Sequence, residues 1–103
     1  MKEVIVEHEH NMQVHRRVTQ FEGDLDALRA AIFAIYQEML VQEIVKVSGE
    51  SVEDIRDPKT QKEILERYLH VELHNKKFKA FVDVLDAADV KDGDTLRASV
   101  PVS

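Results

Sequence analysis

Histidine is the residue type whose spacing offers the clearest chemistry in this sequence. His8, His10 and His15 lie close together along the chain, and an imidazole nitrogen is a preferred ligand of zinc, copper and nickel. Alternate residues of a strand share a face, so His8 and His10 lie on one side while Glu7 and Glu9 lie on the other. If a two-residue turn follows His10, His15 on the returning strand lies opposite His8. These three histidines are a candidate metal site.

Plainer interpretations of the same three histidines remain open. Histidines at the edge of a sheet can simply be solvated, and a one-residue slip in register moves His15 away from its partner. Clustered imidazoles also repel one another when protonated near about pH 6, which is the basis of a pH switch. A metal or ligand site, a pH switch and solvated surface histidines are therefore the alternatives.

Two further groups of residues give weaker signals. His70 and His74 have the spacing of two helical metal ligands, but the run His-Val-Glu-Leu-His puts its glutamate one position away from the zinc-peptidase pattern. We expect these two histidines on the surface near a helix C-terminus. The acidic loop that contains Asp86, Asp89, Asp92 and Asp94 lacks the spacing of a calcium-binding loop and is expected to be a solvated turn.

The segment KKFKAFVDV, residues 76–84, interleaves lysine with aromatic residues, as RNA-binding sheets do. However, Phe78 stands where the RNA-recognition motif requires glycine, and Lys79 stands where it requires an aromatic residue. We expect these lysines to protect a strand edge against aggregation.

The rest of the sequence argues against catalysis and against nucleic acid. The chain has no cysteine, which excludes disulfides and thiol chemistry. Its isolated glycines form no phosphate-binding loop. With 14 basic and 20 acidic side chains, the net charge of −6 opposes binding to a phosphate backbone. No apolar run is long enough for a signal peptide or a membrane span. We therefore expect a soluble cytoplasmic protein that is not an enzyme, has no cofactor and does not contact a membrane.

The elements that position these residues begin with a hairpin. Residues 2–21 alternate between apolar and polar side chains, which predicts two strands with Asn11 at the turn. Asp24 can then cap a long helix over about residues 25–47.

An Asp-Pro pair starts a second helix, which we expect to run from residue 58 to about residue 74. Residues 76–88 suit either a helix or a strand, and their β-branched and aromatic content favours a strand. That strand can pair with a last strand over about residues 95–102, and Pro101 predicts that the last strand lies at an edge of the sheet.

The first helix carries more apolar surface than one sheet face can cover. Leu28, Ile32 and Tyr36 belong to one apolar stripe, and a second stripe runs beside it. A helix that is apolar over so much of its circumference must be covered on more than one side, either by the helix over residues 58–74 of the same chain or by a second copy of the protein. We expect a second copy or another protein there. The residues of this predicted interface are Phe33, Tyr36, Leu40, Val41 and Ile44.

The predicted element order is ββααββ. A chain of 103 residues is the size of one domain, so we expect a single α+β domain over residues 1–103. In it, an antiparallel sheet of about four strands carries two helices packed on one face. The leading functional prediction is a small, non-enzymatic interaction or assembly protein that acts as a homo-oligomer. The alternatives are a metal- or ligand-binding module that uses the histidine hairpin, and an acidic inhibitor of a nucleic-acid-binding or other basic partner.

Overall fold

The computed structural model describes residues 1–102, and within them two strands are followed by four helices and three further strands. The strands are β1 (Lys2–His10), β2 (Gln13–Phe21), β3 (His70–Asn75), β4 (Ala80–Asp83) and β5 (Thr95–Ser99). The helices are α1 (Leu25–Ile35), α2 (Gln37–Ser48), α3 (Val52–Arg56) and α4 (Pro58–Tyr68), and a 3-10 turn spans Ala87–Asp89. The chain is therefore a mixed α+β protein, as predicted, although both counts exceed the four strands and two helices that we expected.

The five strands form one sheet in the order β2-β1-β5-β3-β4. The pair β1 and β5 is parallel, and the other neighbouring pairs are antiparallel. The prediction of a purely antiparallel sheet in the order ββααββ is therefore wrong. The predicted edge position of the last strand is also wrong, because β5 lies at the centre of the sheet and Leu96 and Ala98 are buried there. Pro101 does not interrupt the pairing, since β5 ends at Ser99.

The β1–β2 hairpin has the predicted turn and the predicted register. Asn11 and Met12 both have positive φ angles, 51° and 66°, which is the backbone of a two-residue turn that matches the twist of the flanking strands. The pairing that follows places His8 directly opposite His15. A local turn signal was enough to align the two strands.

The predicted long helix is broken at Tyr36 into α1 and α2. The residues buried along both helices recur every fourth position, and such a series drifts by about 40° per step around a straight helix. A break in the middle of the series turns α2 so that its apolar side again faces the core. Arg17 on β2 donates a hydrogen bond to the carbonyl oxygen of Ile35, which satisfies a helix end that would otherwise lack a partner.

The predicted interface is wrong, because all five of its residues lie inside the chain's own core with at most 4% of their surface exposed. They are Phe33, Tyr36, Leu40, Val41 and Ile44. The break between α1 and α2 brings both apolar stripes to the interior, where α1 packs against β2 and α4, and α2 packs against α3. No second copy of the chain is needed to cover them.

The second predicted helix ends earlier than expected. Asp57 caps α4 by accepting a hydrogen bond from the backbone N–H of Lys59, and Pro58 occupies the first turn, as predicted. However, α4 ends at Tyr68, and residues 70–75 form β3, a strand that was not predicted. The segment 70–74 alternates as a strand does, with Val71 buried in the core. Its two histidines, His70 and His74, are four residues apart, a spacing that also fits one face of a helix.

None of the four helices within residues 1–102 combines the length and the apolar character that crossing a membrane requires.

Candidate metal centre

The candidate site begins on β1, where His8 and His10 lie two residues apart and face the helices. His8 is buried, with 2% of its surface exposed. Its Nδ1 atom lies 2.7 Å from the carbonyl oxygen of Ala98 on the central strand β5. A carbonyl oxygen can only accept a hydrogen bond, so Nδ1 carries a hydrogen and donates it. This contact fixes the ring, and the Nε2 atom therefore points towards α2.

Glu43 on α2 completes the group. Its Oε2 atom lies 2.7 Å from Nε2 of His8 and 2.8 Å from Nδ1 of His10. The two imidazole rings are stacked, with their centroids 6.4 Å apart. Three ligand atoms from a strand and a helix thus converge on one point, and all lie within 4.8 Å of one another. The group is half-open to solvent through His10 and Glu43.

Without a metal, the same contacts describe a charged histidine paired with a carboxylate. Both ring nitrogens of His8 face acceptors, which an imidazole satisfies only when it is doubly protonated. Burial by itself lowers the pKa of His8, but the hydrogen bond with Glu43, the hydrogen bond with the Ala98 carbonyl and the nearby negative charges outweigh it. The pKa of His8 is therefore raised above its ordinary value.

A divalent metal ion can take the place of the proton on Nε2 of His8, between this nitrogen and Glu43. Two imidazole nitrogens and one carboxylate oxygen form a known ligand set for zinc, with a fourth position for water or another ligand. Ligands around tetrahedral zinc lie about 3.3 Å apart, from bond lengths near 2.0 Å, so each histidine nitrogen needs to move away from Oε2 of Glu43 by only about 0.5 Å. The hydrogen bond from His8 to Ala98 is the kind of outer contact that orients metal-bound histidines.

The structure brings together two of the three predicted ligands. His8 and His10 contribute ligand atoms, whereas His15 is directly opposite His8 in the pairing of β1 with β2 but does not belong to the converging group. Glu43 takes the third place. Glu43 was not among the predicted ligands, although one signal was present: the residue lies at helical spacing from Leu40 and Val47 and so interrupts an apolar side of α2 with a carboxylate.

Two clefts flank the carboxylate of Glu43 and connect the site with solvent. One has a volume of about 330 Å³ and is lined in part by His8, Arg97 and Ser99. The other has a volume of about 300 Å³ and is lined in part by His10 and Lys46. A metal ion at this site is therefore accessible both to water and to a small ligand.

The acidic loop between β4 and β5 has a structural role. The side chains of Asp86, Asp92 and Asp94 each accept a hydrogen bond from a backbone N–H, those of Ala88, Glu3 and Lys91 respectively. These bonds satisfy the turns that lead into β5 and agree with the prediction of a solvated turn.

The chain is thus an α+β protein whose mixed five-stranded sheet carries four helices. A His-His-Glu group lies between the sheet and the second helix. Comparisons with protein-family models, with curated proteins and with solved structures gave no match. The site itself is therefore the basis for a proposal about function.

Proposed function

We propose that this protein is a metal-binding module that holds one divalent transition-metal ion, zinc by preference, on His8, His10 and Glu43. The observation that carries the proposal is the convergence of His8 Nε2 and His10 Nδ1 on Glu43 Oε2 at 2.7 and 2.8 Å. Imidazole and carboxylate together favour zinc over the hard ions magnesium and calcium, which prefer oxygen ligands alone.

The metal-binding alternative gains support at the expense of the assembly hypothesis. Homo-oligomerisation was inferred from apolar residues on the first helix, and those residues are buried within the chain. By contrast, His8 and His10 share one face of β1 with their ligand atoms close to Glu43, and the hydrogen bond from His8 to Ala98 holds one ligand in position before any metal binds. Such preorganisation reduces the entropy cost of binding.

Zinc titration of the metal-free chain, in competition with a chelator of known affinity, tests the proposal. We expect one tight binding event that His8→Ala and Glu43→Gln each weaken at least about 100-fold, since each variant removes a direct ligand and even the loss of an outer contact costs about 10- to 100-fold. His15→Ala is the matched control, because His15 lies opposite His8 without joining the ligand group.

Cobalt(II) provides a second measurement, since a tetrahedral site with nitrogen and oxygen ligands gives visible absorption bands that a hydrated ion lacks. Those bands should appear with the wild type and with His15→Ala, and should be absent with His8→Ala. Equal zinc affinity in the wild type and in the His8→Ala, Glu43→Gln double variant would contradict the proposal.

A further inference from the structure

The other face of the sheet carries a second group of possible metal ligands, near the β4 edge. His70 and Glu72 are alternate residues of β3 and so share a face. Asp83 on β4 lies directly opposite Glu72 in the register of the two strands. Backbone pairing thus holds three ligand-bearing residues side by side.

The distances within this group suit a metal ion. The Nε2 atom of His70 lies 2.8 Å from Oδ1 of Asp83, and the ligand atoms of His70, Glu72 and Asp83 all lie within 4.8 Å of one another. Within residues 1–102, the half-buried carboxylate of Glu72 has no side-chain hydrogen bond or ion pair. The neighbouring Arg97, which is opposite Glu72 on β5, instead has its guanidinium 3.8 Å from the centre of the Phe81 ring.

This arrangement leaves negative charge without full compensation. Two carboxylates that lie opposite each other on neighbouring strands repel, and the imidazole of His70 pairs only with the carboxylate of Asp83. A divalent cation between the three side chains would neutralise both carboxylates at once. Two carboxylates and one imidazole are harder ligands than the set at His8, so manganese should be tolerated here as well as zinc.

We propose that His70, Glu72 and Asp83 form a second divalent-metal site, independent of the site at His8. Its affinity is lower, because the side chains of His70 and Asp83 are 42% and 61% exposed and compete with water for the ion. A cleft of about 260 Å³ is lined in part by His70 and Asp83 and gives water access to these two side chains.

Calorimetric titration with zinc alone tests this second site. The wild type should bind two ions per chain, one tightly and one weakly. His70→Ala should weaken only the weaker event, by at least about 100-fold, because it removes a direct ligand. His74→Ala is the matched control, since His74 lies on the same strand and face but outside the group. His8→Ala should lose the tight event and keep the weak one.

Manganese(II) on the wild type avoids dependence on how the variants fold. Paramagnetic broadening should affect the amide signals of residues 70–72 and 82–84 at lower manganese concentration than those of residues 8–10. Preferential broadening elsewhere, or a weak zinc event that persists unchanged in both His70→Ala and Glu72→Gln, would overturn the second site. A wild type that binds a single ion, lost in His8→Ala, would also overturn it while leaving the proposed function intact.

Discussion

Nε2 of His8 lies 2.7 Å from Oε2 of Glu43, and this contact joins the first strand to the second helix across 35 residues of chain. Because His8 also donates to the carbonyl oxygen of Ala98 on β5, one side chain connects three elements of the fold. The group that we propose as a metal ligand is therefore also part of the structural core, and both roles have measurable consequences.

We expect His8→Ala to destabilise the metal-free protein by about 2–4 kcal/mol. The substitution removes two hydrogen bonds, leaves a buried carbonyl oxygen without its donor and opens a cavity next to Tyr36. Urea denaturation in the presence of a chelator measures the free energy of unfolding. His15→Ala, at the paired position on β2, should cost less than about 1 kcal/mol, and equal losses in the two variants would show that His8 has no special structural role.

The raised pKa of His8 predicts that the metal-free protein loses stability as the pH rises through neutrality. A group whose pKa is higher in the folded state than its unfolded value of about 6.5 binds its proton more tightly when folded. Its contribution is complete below that unfolded value and disappears as the pH rises through the folded pKa. Urea denaturation between pH 6 and pH 9 should therefore show a declining free energy of unfolding. In His8→Gln the decline should be shallower, and identical slopes in both proteins would contradict this prediction.

The histidine part of the site was predictable from sequence, because the β1–β2 hairpin depends on local signals. Alternation along the strands and a two-residue turn determine that His8 and His10 share a face and that His15 pairs with His8. The third ligand was not predictable in the same way. Glu43 reaches the histidines only after the helix breaks at Tyr36, which is a consequence of packing over many residues.

The central position of β5 is a second feature that local patterns do not encode. Its parallel pairing with β1 joins segments 90 residues apart, as in Ile5 and Thr95, and nothing in either segment specifies the other as its partner. The missed strand β3 has a related cause. Leu69 and Leu73 have the spacing of a helix and are also compatible with a strand, and only the neighbouring strands decide between the two.

Leu40→Glu distinguishes a core residue from an interface residue. In an oligomer interface, the new charge would separate folded subunits. Leu40 is fully buried within the chain, so we expect the variant to unfold instead, with a loss above about 4 kcal/mol from an unpaired buried charge. Circular dichroism together with light scattering provides the measurement. A folded monomer of Leu40→Glu derived from an oligomeric wild type would restore the interface hypothesis.

Met12→Gly should stabilise the protein by about 0.5–1 kcal/mol. Met12 has a φ angle of 66° and is the second residue of the hairpin turn, a conformation that costs an ordinary side chain energy but suits glycine. The change also creates the Asn-Gly pair that two-residue turns of this type prefer. Met12 is almost fully exposed, so no packing is lost. Thermal and urea denaturation measure the gain, and Met12→Val, whose β-branched side chain is poorly suited to a positive φ, should lower stability. Zinc affinity should stay the same in Met12→Gly, since His8 and His10 both lie on β1 and neither turn residue belongs to the ligand group. A stabilised variant with altered affinity would mean that the hairpin of the wild type is not already in its binding geometry.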